Sequence, residues 1–243
     1  MMRMKTFSIV LLLMVVGIGS VNASGKTVKF RTENMTCGGC AGKIKKAVSA
    51  LEGVSDVSAN LEARIVSVSY DDQKVNPDQL KEAIQAIKYE AVDYNPEEVI
   101  AREVSFNADQ MGCGGCVAKV KKNIGAEAGV LGVDIDLPTK EVKVSYDANK
   151  LSANEIKSDF QKFNYTVTKF TKNDGVKYAR FKLEEVTNAS EIEQNLAKEA
   201  GVWDVSVNTQ TKDVAIAYIA SSVTEEGLVE ILQKQDLQLA TAN

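Results

Sequence analysis

The stretch "ENMTCGGCAGKIKKAV" at residues 33–48 places two thiols, Cys37 and Cys40, just ahead of a run in which Ile44, Val48 and Leu51 recur at helical spacing. A second version, "DQMGCGGCVAKVKKNI", begins at Asp109 and supplies Cys113 and Cys116, and the two pairs account for all 4 cysteines of the chain. Sliding the sequence on itself by 76 residues superposes the pairs and much else. Phe30 falls on Phe106, Met35 on Met111, Gly53 on Gly129, "VSVSYD" at 66–71 on "VKVSYD" at 142–147, and Tyr89 on Tyr165. A shift of 148 finds a third copy, without cysteine, in which Gly201, Val205, Val214, Ile216, Tyr218 and Leu228 match Gly53, Val57, Val66, Val68, Tyr70 and Leu80. Both shifts follow from one unit repeated three times in tandem.

Within a unit the period changes in a readable order. Val28, Phe30 and Thr32 alternate as in a strand, the helix after the cysteines follows, and "GVSDVSANL" and "ARIVSVSY" are β-branched runs around a short turn. "NPDQLKEAIQAI" then opens with Asn76 as N-cap and Pro77 at the first helical position, and "YEAVDY" closes the unit as a short strand. The order β-α-β-β-α-β predicts an α+β chain of ferredoxin-like units, each an antiparallel sheet with both helices on one face. The expected divisions are residues 24–96, 101–171 and 175–243.

Residues 1–23 read differently. Arg3 and Lys5 precede an apolar run from Phe7 to Ile18, and Val21-Asn22-Ala23 offers small residues before Ser24, the layout of a signal peptide cleaved after Ala23. The run is shorter than the roughly 20 apolar residues a membrane span needs. An exported chain, periplasmic or secreted and not membrane-spanning after cleavage, is therefore expected. Loss of Arg3 and Lys5 would move the net charge from −4 to −6, a balance that leaves no basic footprint for nucleic acid.

A cysteine pair between a strand and a helix sits where unpaired N–H groups and the positive end of the helix dipole favour thiolate. The glycines between the sulfurs, Gly38 and Gly39 in the first pair, are expected to let the backbone turn tightly and to bring the sulfurs together without side chains in the way. Two soft donors on an exposed loop suit Cu(I) or Hg(II), one ion per pair. Zn(II) would need carboxylates or a second unit, because the chain has no histidine and each unit only two cysteines. Two other readings stand beside metal binding. A C-x-x-C at a βα turn is also the mark of a dithiol-disulfide oxidoreductase, although no aromatic residue precedes either pair; or the cysteines merely close a local disulfide in an interaction module.

The motifs "NMTCGGC" and "QMGCGGC", in units of this length and order, resemble the heavy-metal-associated domain family of copper chaperones, copper-pumping ATPase N-terminal modules and the periplasmic mercury-binding protein. The third unit resembles it in pattern only. The resemblance implies a non-enzymatic module that carries one soft ion between two cysteines and hands it on by ligand exchange to a membrane metal transporter or another metal-binding protein. It implies Cys37 with Cys40, and Cys113 with Cys116, as ligands, Met35 and Met111 as packing beneath the loops, and Tyr89 and Tyr165 as aromatics against them. Asn34 and Gln110 stand where the family usually has Gly, and Gly112 in place of Thr predicts a more flexible second loop. In the third unit Asn188 and Glu191 read as a helix cap, in a stretch about three residues shorter than its counterpart.

Charge separates the equivalent helices. Lys43, Lys45 and Lys46, and Lys119, Lys121 and Lys122, correspond to Glu191, Glu193 and Gln194 in the third unit. These are either three solvated faces or a complementary pair, in which the acidic helix docks against a basic one beside a metal loop.

Overall fold

The computed structural model describes residues 25–240 and builds three antiparallel sheets. The expected signal peptide lies outside the described residues. The first repeat runs β1 (Gly25–Arg31), α1 (Gly38–Ser49), β2 (Val54–Asn60), β3 (Ile65–Asp71), α2 (Pro77–Ala86) and β4 (Val92–Asp93). The second follows with β5 (Ala101–Asn107), α3 (Gly114–Gly125), β6 (Val130–Asp136), β7 (Glu141–Asp147), α4 (Ala153–Lys162) and β8 (Thr168–Lys169). The third has β9 (Val176–Lys182), α5 (Ala189–Leu196), β10 (Val202–Asn208), β11 (Asp213–Ile219) and α6 (Glu225–Lys234). Strand orders are β2-β3-β1-β4 and β6-β7-β5-β8, the arrangement of the ferredoxin-like split unit. The third sheet has the order β10-β11-β9, and a single bridge from Leu183 to Leu239 stands where a fourth strand was expected.

The backbone repeats with the sequence. Positive φ occurs at Gly53, Gly129 and Gly201, at Arg64, Lys140 and Lys212, and at Lys88, Asn164 and Asp236, in equivalent turns of the three repeats. Each sheet buries one face under its helices: Phe30, Val66, Val68 and Tyr70 meet Ile44, Leu80 and Ile84 in the first repeat. Phe106, Val142, Val144 and Tyr146 meet Val120, Ile156 and Phe160 in the second, where Phe106 and Phe160 pack edge to face at 5.5 Å. Val214, Ile216 and Tyr218 meet Ile192, Leu228 and Leu232 in the third. The second helix of each repeat starts on a side-chain cap: Asn76 and Ser152 in full capping boxes with Gln79 and Glu155, and Thr224 on the amide of Gly227.

The described residues divide into two compact units, one of residues 25–59 with Val66–Val92, the other of Asn60–Ile65 with residues 93–240. The second unit therefore holds the second and third repeats together, and the contact between them runs through the outer face of the third sheet. There Ala217, Ala215, Ser206 and Asn208 are buried. Against them lies α4: Lys157 pairs with Asp204 at 3.3 Å and donates to the Val205 carbonyl at 2.7 Å, while Gln161 donates to Ser206 Oγ at 3.1 Å and the Val207 carbonyl at 3.0 Å. Asp204 also accepts the Lys169 amide at 2.8 Å, and Phe170 stacks on Tyr178 with ring centroids 6.4 Å apart. Of the two readings of the charged helices, docking of the acidic helix is not what joins these repeats; a sheet face is. Glu193 of α5 instead accepts the Val207 amide of its own repeat at 2.7 Å. Among the described residues, no helix is long and apolar enough to cross a membrane.

Candidate metal-binding site

Both cysteine pairs open a helix. Cys37 is the N-cap of α1 and Cys113 that of α3, each with extended backbone, and each sulfur accepts the amide three residues on, from Cys40 at 3.2 Å and from Cys116 at 3.3 Å. Sulfur here takes the place of the oxygen that Ser, Asp or Asn usually supplies at an N-cap. The capping bond holds the first cysteine over the helix end, and the three-residue spacing brings the second onto the same end. Cys37 and Cys40 are joined as a disulfide with Cα atoms 5.1 Å apart. Cys113 and Cys116 are free thiols with sulfurs 2.6 Å apart. In each pair the first cysteine is exposed and the second half-buried.

The glycines between the sulfurs keep side chains out of the way as expected, but they make no tight turn. None of the four has a positive φ, and all lie in the first helical turn, where any residue fits. A Cβ at Gly39 would stand 3.9 Å from Cys37 Sγ, and one at Gly38 would meet nothing. They leave the approach to the sulfurs open and impose no turn of their own.

Beneath the loops Met35 and Met111 are fully buried, in keeping with packing. Tyr165 lies against the second pair, with Lys119 Nζ 5.8 Å from its ring centre. Burial and the neighbouring Cys116 raise the Tyr165 phenol, while the Cys116 thiol is lowered, first by hydrogen bonding with Cys113 and then by the Gly112 backbone and, to a smaller degree, the Tyr165 hydroxyl. Tyr89 packs half-buried against the first core. The residues before the methionines, which the family usually has as Gly, prove to be clamps. Asn34 accepts the Glu90 amide at 3.0 Å and donates to the Lys88 carbonyl at 3.1 Å, closing its loop within the first repeat.

Among the described residues no group of three or more His, Cys, Asp or Glu side chains is arranged to hold a metal ion. Each pair by itself offers two sulfurs as donors. That fits an ion content with two soft ligands and leaves zinc short of its usual four.

The first two repeats each carry paired sulfurs on the first helix end of a βαββαβ unit. The heavy-metal-associated domain model matches residues 29–90 and 105–166, and the chain belongs to that family. A copper-transporting ATPase of Oryza sativa subsp. japonica is 22% identical over 86% of this chain and 21% of its own length. The copper-exporting P-type ATPase of Bacillus subtilis (strain 168) is 24% identical over 58% of this chain and 16% of its own length. The chain thus spans about a fifth or less of these relatives. Among solved structures, oxidised MerP from Ralstonia metallidurans CH34 is 33% identical over 30% of this chain and all of its own, with a TM-score of 0.29. The CopZ metallochaperone is 37% identical over 28% of this chain and all of its own, with a TM-score of 0.27.

Proposed function

We propose that this chain is an exported, non-enzymatic carrier that captures Cu(I) or Hg(II), one ion per CGGC pair, and relays it by ligand exchange. The observation that carries the reading is the donor set: two sulfurs together at an exposed helix end, the first of them its cap, twice in one chain. Cys37 with Cys40 and Cys113 with Cys116 are the ligands. Handover starts at the exposed first cysteine, which an incoming thiolate reaches without disturbing the core, and ends when the half-buried second cysteine lets go. Thiolate is the binding form, so the helix end and the lowered Cys116 favour uptake.

The rest of the reading extends the sequence argument. Residues 1–23 are the signal peptide, the protein works in the periplasm or outside the cell, and 24–96, 101–171 and 175–243 are three tandem domains. The copper-transporting ATPases among the relatives support a membrane metal transporter, or another metal-binding protein, as the partner that gives or takes the ion.

Anaerobic titration of the reduced chain with Cu(I) under a competing chelator is the test. Saturation is expected near two equivalents, and near one after Cys37→Ser with Cys40→Ser. Insulin reduction at a rate typical of a redox catalyst, without ion uptake, would instead establish the oxidoreductase.

A further inference from the structure

The two cysteine loops are anchored differently, and the difference lies in the third repeat. In the first repeat Asn34 satisfies both ends of its amide at home. In the second, Gln110 is one methylene longer: its Oε1 accepts the Thr166 amide at 2.9 Å, the counterpart of the Glu90 bond, while its Nε2 donates to Asp213 of β11 at 3.4 Å. Beside it, Asp109 is ion-paired with Arg180 of β9. Arg180 is partly buried in the outer face of the third sheet, where burial works against its charge and Asp213 lies near enough to oppose that in part. These contacts fall three and four residues ahead of Cys113. On the other side of the same stem, Lys140 donates to the Met111 carbonyl and the Met111 amide to Ala108 at 2.9 Å. Only Gly112, where the first loop has Thr36, separates this fixed stem from the cysteine.

We infer that Arg180 and Asp213 are positioning residues for the second cysteine pair: by holding Asp109 and Gln110, the cysteine-free repeat stiffens the stem of that loop and makes the second site the slower of the two to release its ion. The inference rests on the reading of both pairs as ion carriers. A sulfur must swing outward for an ion to leave, and a stem held in place limits how far Gly112 can let the loop follow it. A loop already ordered also loses less freedom on binding, which favours the bound state. The first site, whose Asn34 clamp lies within its own repeat, becomes the faster-exchanging one. The third repeat then acts on metal traffic without touching metal.

The test uses the full chain in two backgrounds, Cys37→Ser/Cys40→Ser for the second site alone and Cys113→Ser/Cys116→Ser for the first. Each is loaded with Cu(I) and mixed with excess bathocuproine disulfonate in a stopped-flow instrument. The second site is expected to release more slowly than the first. Gln110→Asn, which copies Asn34 and falls short of Asp213, and Arg180→Ala are each expected to speed release from the second site about three- to tenfold, the equivalent of one net hydrogen bond. Release from the first site should not change. Amide hydrogen exchange on the metal-free reduced chain gives a reading that does not need the ion: in both variants Gly112 and Cys113 should exchange faster while Thr36 and Cys37 do not. Unchanged second-site release, or equal acceleration at both sites, would overturn the inference. If neither pair takes up Cu(I), the carrier reading fails, and the exchange data still decide whether the third repeat braces the loop.

Discussion

Asn188 caps its helix as Cys37 caps α1, but one turn deeper: its oxygen accepts the Glu191 amide at 3.2 Å, and the buried Ile192 follows only four residues on, against seven from Cys37 to Ile44. The third repeat has therefore lost the helical turn that carries the second sulfur, along with both thiols. A cavity of about 940 Å³ opens beside the shortened helix, lined in part by Glu184, Glu185, Asn188, Glu191 and Leu237. Leu237 is the counterpart of Tyr89 and Tyr165, so the aromatic wall has gone with the sulfurs. What remains of the site is the cap, and its task is stability alone. Asn188→Ala should lower unfolding free energy by about 1 kcal/mol, the usual worth of an N-cap side chain, and leave Cu(I) stoichiometry unchanged. Urea denaturation followed through Trp203, the only tryptophan, would read the first effect directly.

The lowered Cys116 thiol yields a prediction about reactivity. Its depression comes first from Cys113, then from the Gly112 backbone, with a smaller part from the Tyr165 hydroxyl, all of which favour the thiolate. In the reduced, metal-free chain, alkylation of Cys116 should thus persist to lower pH than in the unfolded chain. Tyr165→Phe should move the profile upward slightly, and Cys113→Ser further. Alkylation rates across pH, resolved by peptide mapping, would contradict this ordering if both variants traced the parent curve.

The two kinds of glycine in the chain should behave in opposite ways. Gly53 has φ +96°, and a Cβ there would come 2.6 Å from Lys74 Cβ, so Gly53→Ala combines backbone strain with a clash that needs movement. A loss of roughly 1–3 kcal/mol is expected. Gly38 lies in the first turn of α1 with open space around it, and Gly38→Ala should change stability by no more than about 0.5 kcal/mol, toward greater helix stability if anything. Thermal unfolding of the two variants side by side checks the contrast. A larger loss from Gly38→Ala would mean that the loop needs its glycine for a reason other than space.

Much of this was legible because periodicity and capping act locally. The β-α-β-β-α order, the Asn76 cap with Pro77 behind it and the place of the cysteines at a helix start all depend on residues close together in the chain. The shorter Asn188 stretch was visible for the same reason. The clamps at Asn34 and Gln110 were noticed only as departures from a glycine, because the amides they bind, at Glu90 and Thr166, lie 56 residues away in the sequence. For the contact of the second and third repeats the sequence offered only charged helices, read as either solvated faces or a docking pair, and surface charge specifies a partner poorly when most of it is solvated. A better signal lay in β11. Its "DVAIAYI" lacks the polar alternation of "IVSVSYD" and "EVKVSYD", with Ala215 and Ala217 where the other repeats have Ser67 and Ser69, or Lys143 and Ser145. A strand that is apolar on both faces is a strand covered on both faces.

That substitution pattern supplies the last prediction. In the second repeat Lys143 projects from the outer face of its sheet and pairs with Glu103 at 3.3 Å, so this fold accepts lysine at the position. Ala215, its counterpart, is buried and lies between Arg180 and Ser206 on the neighbouring strands. Ala215→Lys would leave the third core, built on Val214 and Ile216, untouched, but would bring an unpaired ammonium into the contact with α4. The third repeat should stay folded and leave the second. Amide exchange should then rise along β10 at Ser206 and Val207, and at Gly112 and Cys113, while Val214 and Ile216 stay protected. If the brace acts as inferred, ion release from the second cysteine pair should speed up in step with that exchange. Preserved protection at Ser206 in the variant would show that the second repeat is not what covers this face.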